Sequence, residues 1–295
     1  MPEITSVGVL GCGLMGGGIA QTAAAAGFPT AVRDVTQALL QRGEGAIARS
    51  LAKLVEKGKL DPSARDGALE RLSFTTELDD LRSCDIVIEA VPEDLALKNE
   101  LWRALDERCP PATIFVSNTS SLPIGAMAAA TSRPDRFAGL HFFNPVPLMP
   151  LVEVVRAVTT SRETFEQVMT FARRLGKEPL AARDRSGFIV NLLLVPFLMD
   201  AVRALEHGVG AAADIDRGMQ LGCGHPMGPL ALLDFIGLDT AMRIADIMFE
   251  EYREPRYAPP PLLRRMVGAG LYGRKNGRGF YDYASDPPLP IDLAI

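Results

Sequence analysis

The stretch Gly11-Cys12-Gly13-Leu14-Met15-Gly16 constrains this chain more than any other. It has the spacing GxGxxG, directly follows an apolar run at 6–10, and opens a helical pattern at 14–26. The next strand-like run, 30–33, is closed by Asp34. Glycines at these positions let the backbone turn tightly and approach a pyrophosphate, and the helix N-terminus supplies amides for an anion. Asp34 can accept hydrogen bonds from a ribose 2′- and 3′-hydroxyl. A turn tightened only for helix–strand packing would not need that acid. The motif therefore predicts a dinucleotide site formed by Gly11, Gly13, Leu14, Met15, Gly16 and Asp34. A carboxylate repels a 2′-phosphate, so the expected cofactor is NAD and not NADP, with neighbouring Arg33 the one group favouring the phosphate.

Apolar runs of strand length at 6–10, 30–33, 86–89, 114–117, 137–141 and 152–155 alternate with helical patterns at 14–26, 38–57, 95–108 and 162–175. Such alternation implies a largely parallel sheet with helices on both faces. After Asp184 the texture changes: 187–200 is almost continuously apolar, and no clear strand pattern follows. A chain of 295 residues suggests about two domains on length alone. The expected fold is thus α/β, a Rossmann-like doubly wound sheet over 1–184 followed by an all-α C-terminal domain over 185–295.

Composition narrows the class further. The chain is 47% hydrophobic and 23% charged, enough to bury a substantial core. Its net charge of −5 is spread along the sequence, which argues against a nucleic-acid footprint or a polybasic membrane patch. Residues 11–32 carry no charge and are long enough to span a bilayer, but six are glycines, so a glycine-rich turn and buried helix are expected there instead. Met1-Pro2-Glu3-Ile4-Thr5-Ser6 has neither the positive start nor the apolar run of an export signal. Four scattered cysteines form no CxxC pair, so a reduced, cytoplasmic protein without a structural metal is expected.

Other polar residues gather where open α/β sheets bind ligands, at the carboxyl ends of strands. Glu93 follows the run at 86–89; it can reach a cofactor ribose, or, with Asp94, cap the following helix. In Ser117-Asn118-Thr119-Ser120-Ser121-Leu122-Pro123, Ser121 with Pro123 suffices for a helix cap, and the surplus of Asn118 and Ser120 hints at a ligand. His141 ends the run at 137–141, and Glu153 interrupts Leu151-Val152-Glu153-Val154-Val155, a strand apolar on both faces. A carboxylate buried there needs a partner. Turn-forming residues between the two runs allow the strands to lie side by side and bring His141 to Glu153. A carboxylate-oriented imidazole is a general base; a structural His–Glu pair is the alternative. Asn191, an amide early in an apolar helix, is either satisfied by backbone or a hydrogen-bond donor facing a cleft.

Taken together, these residues resemble the 3-hydroxyacyl-CoA dehydrogenase family, especially its short, single-function bacterial members. The resemblance runs over 11–16, 88–93, 117–122, 141–145, 151–155, 187–191, 226–240 and 273–283. It implies that Ser120, His141, Glu153 and Asn191 are catalytic, and that Asp34, Glu93, Lys98 and Asn118 surround NAD. It also implies a helical second domain that forms a homodimer, and a helical excursion over 38–69 that helps hold coenzyme A, with Lys53 and Lys57 as phosphate candidates beside Ser120. One departure is Leu192, where members often carry arginine after the asparagine. The implied reaction is NAD-dependent interconversion of (S)-3-hydroxyacyl-CoA, short-chain 3-hydroxybutyryl-CoA above all, with the 3-oxoacyl-CoA. Alternatives are a dehydrogenase of a free hydroxy acid such as L-gulonate, and a non-catalytic NAD-binding protein.

Overall fold

The computed structural model describes residues 3–293; Met1 and Pro2, part of the stretch read for an export signal, lie outside them, as do 294–295. The chain forms two compact units, Met1–Phe188 and Ile189–Ile295.

In the first unit, β1 (Val7–Leu10), α1 (Leu14–Ala25) and β2 (Thr30–Arg33) make the expected strand–turn–helix–strand. Then come α2 (Gln37–Glu56), α3 (Pro62–Glu70), β3 (Leu72–Thr75), β4 (Ile86–Glu89), α4 (Leu95–Asp106), β5 (Ile114–Ser117) and α5 (Ile124–Ala128). The unit is completed by β6 (Phe137–Phe142), β7 (Leu151–Arg156), α6 (Arg162–Arg174) and β8 (Glu178–Arg183). The eight strands form one sheet in the order β3-β2-β1-β4-β5-β6-β7-β8. All neighbours run parallel except β6 and β7. This is a Rossmann-like doubly wound sheet.

Side-chain alternation along the strands divides the interior in two. Val9, Ile88, Val116, Leu140, Phe142, Val152 and Val154 pack into one core on one face. Leu10, Val87, Phe115, Phe137 and Val155 join a second core with Trp102, Ile124 and Phe188 on the other. Period-two alternation puts Glu89, Ser117, His141 and Glu153 on the side of this second core, all at or near the sheet's ligand-binding edge.

The second unit contains α7 (Val190–Glu206), α8 (Ala212–Cys223), α9 (Pro229–Ile236), α10 (Leu238–Tyr252) and α11 (Pro261–Gly268) around a core of leucines, methionines and Phe280. It departs from the all-helical expectation in a two-residue ladder, β9 (Tyr281–Asp282) with β10 (Leu289–Pro290), and in isolated β-bridges from Arg278 to Gly273 and Asp282. Asp234 ties this tail down: its carboxylate accepts hydrogen bonds from the Phe280 and Tyr281 amides, each at 2.9 Å. No helix among the described residues is long and apolar enough to cross a membrane.

Candidate active site

The glycine turn has the geometry its spacing predicts. Gly11 takes φ +92°, and a Cβ on it would lie 2.7 Å from the Ala90 carbonyl oxygen; a Cβ on Gly16 would lie 1.9 Å from the Gly11 oxygen. Those two positions are therefore fixed by packing inside the turn. Gly13 differs: a Cβ there meets nothing within 4 Å, and it heads α1 without a side-chain cap. Open space above uncapped helix amides is what a pyrophosphate requires, so these residues fit a dinucleotide. Leu14 stands 76% exposed beside them, with Met15 half-buried. Asp34 lies across the turn, its Oδ2 accepting from the Cys12 amide at 2.7 Å. The neighbouring Arg33 points elsewhere, donating from Nε to the Thr76 carbonyl at 3.1 Å, so it is not poised for a 2′-phosphate.

Glu93 does not cap α4; Asp94 does, accepting from the Leu97 amide at 3.0 Å. Glu93 instead spans to the loop after β5, accepting from the Ser120 amide at 3.0 Å and from the Thr119 hydroxyl. Lys98, 1% exposed, lies between two carboxylates, 2.9 Å from Glu93 Oε2 and 2.7 Å from Glu89 Oε1. Glu89, fully buried, also accepts from the Ser117 hydroxyl at 2.6 Å and the Val91 amide at 2.8 Å. Burial pushes the Glu93 carboxyl up, but the Lys98 charge and the hydrogen bonds from Thr119, Lys98 and Ser120 outweigh it and hold Glu93 below the usual carboxylate range. Burial likewise pulls Lys98 down, and Glu89 with Glu93 more than reverse that. Glu89 was not singled out by the sequence, because its partners are distant in the chain.

The loop after β5 is positioned by this network and by two further contacts. Asn118 Oδ1 accepts from the Phe142 amide at 2.9 Å, which ties the end of β5 to the end of β6. Ser121 does not cap α5, contrary to the sequence expectation; the Asp184 carboxylate does, accepting from the Ile124 and Gly125 amides at 2.8 and 2.7 Å. A bidentate carboxylate satisfies two orphan amides where a serine hydroxyl would satisfy one. Ser120 remains half-buried at the loop's tip.

His141 and Glu153 are direct register partners in the antiparallel β6–β7 pair. His141 Nδ1 lies 2.7 Å from Glu153 Oε2, with His141 5% exposed and Glu153 fully buried. A carboxylate acceptor fixes hydrogen on Nδ1 and leaves Nε2 as the nitrogen that can exchange a proton with a substrate.

A cavity of about 630 Å³ opens beside the glycine turn, lined by Gly13, Asp34, Arg42, Arg49, Ser50 and Pro145 among others. Lys53 and Lys57 are exposed and lie outside that lining. Lys53 continues the helical stripe of Arg42, Ala46 and Arg49 along α2, and Lys57 follows at its C-cap. Arg42, Arg49 and Ser50 were not picked out by sequence, since their position on the cavity face depends on how α2 docks. Asn191, half-buried, occupies the first turn of α7 in the second unit.

Two families describe almost the whole chain: the 3-hydroxyacyl-CoA dehydrogenase NAD binding domain matches residues 6–185 and the corresponding C-terminal domain matches 187–283. Among similar proteins, the 3-hydroxybutyryl-CoA dehydrogenase of Mycobacterium tuberculosis is 50% identical over 95% of this chain and 99% of its own. Human mitochondrial hydroxyacyl-coenzyme A dehydrogenase is 46% identical over 95% of this chain and 91% of its own. The crystal structure of (S)-3-hydroxybutyryl-CoA dehydrogenase from Ralstonia eutropha aligns with TM-score 0.92 at 44% identity, over 96% of this chain and all of that one.

Proposed function

The chain belongs to the 3-hydroxyacyl-CoA dehydrogenase family, and from that premise we propose that it interconverts (S)-3-hydroxybutyryl-CoA and acetoacetyl-CoA through a His141–Glu153 acid–base pair. The observation that carries this reading is the 2.7 Å contact between those two side chains on a sheet that also bears an open dinucleotide turn.

NAD, when bound, supplies the acceptor for the hydride leaving substrate C3. In the oxidation direction the Nε2 of neutral His141 takes the C3 hydroxyl proton while the C3–H bond breaks, leaving a 3-oxo group; in reduction the imidazolium returns that proton. Glu153 orients the ring and stabilises the imidazolium. Ser120 and Asn191 hold the substrate's oxygen atoms. Asp34 takes the adenine-side ribose, while Glu93, Lys98 and Asn118 serve the nicotinamide side, with Lys98 acting through Glu93 because its ammonium is sealed between carboxylates. Arg42, Arg49, Lys53 and Lys57 form a basic stripe suited to coenzyme A phosphates.

On this reading 1–184 is the NAD domain and 185–295 the substrate and dimerisation domain. Exposed Leu193, Val209, Leu221 and Phe235 in the second unit support a homodimer through that part of the chain. The free cysteines, three of them buried, suit a reduced cytoplasmic setting. NADH oxidation with acetoacetyl-CoA, compared with free acetoacetate, tests the proposal. Turnover of the thioester alone is expected; preference for the free acid points to a hydroxy-acid dehydrogenase, and no turnover of either defeats the catalytic reading.

A further inference from the structure

Phe188 is one of only two non-glycine residues with positive φ among the described residues, at +48°. That backbone is rare for any L-residue and unfavourable for a bulky one. It follows Gly187, itself at φ +84°, so the chain makes two left-handed steps in succession. The approach to this bend is pinned: Asp184 caps α5, and the Ser186 hydroxyl donates to the Ser121 carbonyl at 2.8 Å. The bend turns the Phe188 ring into the second core, where it is 3% exposed. There its centroid lies 5.5 Å from the His141 ring, at an interplanar angle of 58°. Phe143 approaches the same imidazole at 4.6 Å and 56°. Residues held in sparsely populated backbone regions persist where the surroundings over-determine them, and they cluster at functional sites.

We propose that Phe188 is a positioning residue: its left-handed backbone exists to press the phenyl ring on His141, which, with Phe143, fixes the imidazole plane in line with Glu153. This rests on the acid–base role assigned above to His141. The Glu153 contact and the Cβ tether hold one edge of the ring but leave its far edge free to tilt; ring contacts of 4.6 and 5.5 Å limit that tilt. Nε2 is thereby aimed before substrate arrives, which matters because small misplacements of a reacting group are costly to rate.

Three substitutions separate the ring from the backbone. Phe188→Leu keeps apolar volume without the ring, Phe188→Ala removes the side chain and keeps most of the strain, and Phe188→Gly removes both. Each is expected to lower kcat about 10- to 100-fold with acetoacetyl-CoA, while NADH affinity, read by fluorescence titration, stays that of the parent. Phe188→Gly should melt above Phe188→Ala, because glycine adopts positive φ freely. A readout independent of turnover comes from long-range 1H–15N NMR of the protein without ligands, which has only three histidines to resolve. The parent should show His141 as an Nδ1–H tautomer with a rigid ring, and Phe188→Leu the same tautomer, still fixed by Glu153, with greater ring motion read by 13C relaxation at Cε1. Parental kcat in Phe188→Leu, parental rigidity of the His141 ring there, recovery of parental kcat in Phe188→Gly, or loss of NADH affinity equal to the loss of kcat would each overturn the proposal. His141→Ala with parental kcat would instead overturn the acid–base reading, and the NMR arm separates those two failures.

Discussion

His141 Nδ1 and Glu153 Oε2 stand 2.7 Å apart across directly opposed positions of two antiparallel strands. Backbone pairing, and not side-chain reach alone, therefore holds the contact. A pair built this way acts as one unit. His141→Ala is expected to lower kcat by roughly 10²- to 10⁴-fold, and Glu153→Gln by orders of magnitude, with NADH affinity nearly intact. Adding Glu153→Gln to His141→Ala should cost little more. Steady-state kinetics of the double-mutant cycle checks this, and independent multiplication of the two losses would refute the pairing's role.

The Glu93 carboxyl carries a pH signature. Burial opposes its charge, but Lys98 and the hydrogen bonds from Thr119 and Ser120 keep it ionised below the usual value of 4.5. A depressed folded value means that the carboxylate adds stability above pH 4.5, and that this addition is lost as pH falls through the folded value. Glu93→Gln should therefore lower the melting temperature at neutral pH and flatten its fall below pH 4.5. It should also weaken NADH binding by about tenfold, the scale of one charge-assisted hydrogen bond. Thermal melts from pH 7 to 3 decide the first point; an unchanged acid slope would show that Glu93 is not the group responsible.

The fold was legible where periodicity is strong and local. The four central strands β1, β4, β5 and β6 and the glycine turn announce themselves by apolar runs, and His141 could be paired with Glu153 because turn-formers separate them by a short span. The two edge strands, β3 and β8, are not legible in the sequence. β3 has no buried residue, and β8 is largely exposed and contains Pro179, so neither carries the buried pattern of a central strand. The α5 cap is not legible for a different reason: the carboxylate that accepts from its amides, Asp184, is 60 residues from Ile124, whereas Ser121 stands next to the helix in sequence. Glu89 escaped notice because a strand-end carboxylate reveals its function only when Lys98 and Ser117 fold onto it.

Cofactor choice should follow Asp34, whose carboxylate faces the glycine turn through the Cys12 amide. The parent should bind NADH more tightly than NADPH, and Asp34→Gly should erode the difference by losing affinity for NADH and repulsion toward NADPH together. Arg33 will not sustain NADPH binding unaided, because its Nε is engaged with Thr76. Titration of both cofactors against both proteins tests this, and equal affinity in the parent would contradict it.

The basic stripe on α2 predicts a binding effect without a chemical one. Lys53→Ala with Lys57→Ala should raise KM for the CoA ester while changing kcat less, the mark of interactions made equally in ground and transition states. The salt dependence of KM should weaken as well, because exposed charges are screened over about 8 to 10 Å at physiological ionic strength. Arg49→Ala should act more strongly, since Arg49 lines the cavity and the two lysines do not. KM unchanged at low ionic strength in the double lysine variant would return those residues to the solvated surface.

Gly13 gives the most selective test of the dinucleotide turn. Its φ is −73°, an ordinary value for alanine, and an added Cβ meets nothing within 4 Å. Gly13→Ala should therefore fold with the parent's melting temperature. A methyl group there occupies the space above the α1 amides that a pyrophosphate needs, so NADH affinity should fall by about tenfold or more, the scale of a few charge-assisted contacts. Gly16→Ala gives the opposite outcome, because its Cβ would strike the Gly11 carbonyl at 1.9 Å and disrupt the turn itself. Melting curves and NADH titrations of the two variants read these effects separately. If Gly13→Ala bound NADH as the parent does, the open face of the turn would not be where the pyrophosphate rests.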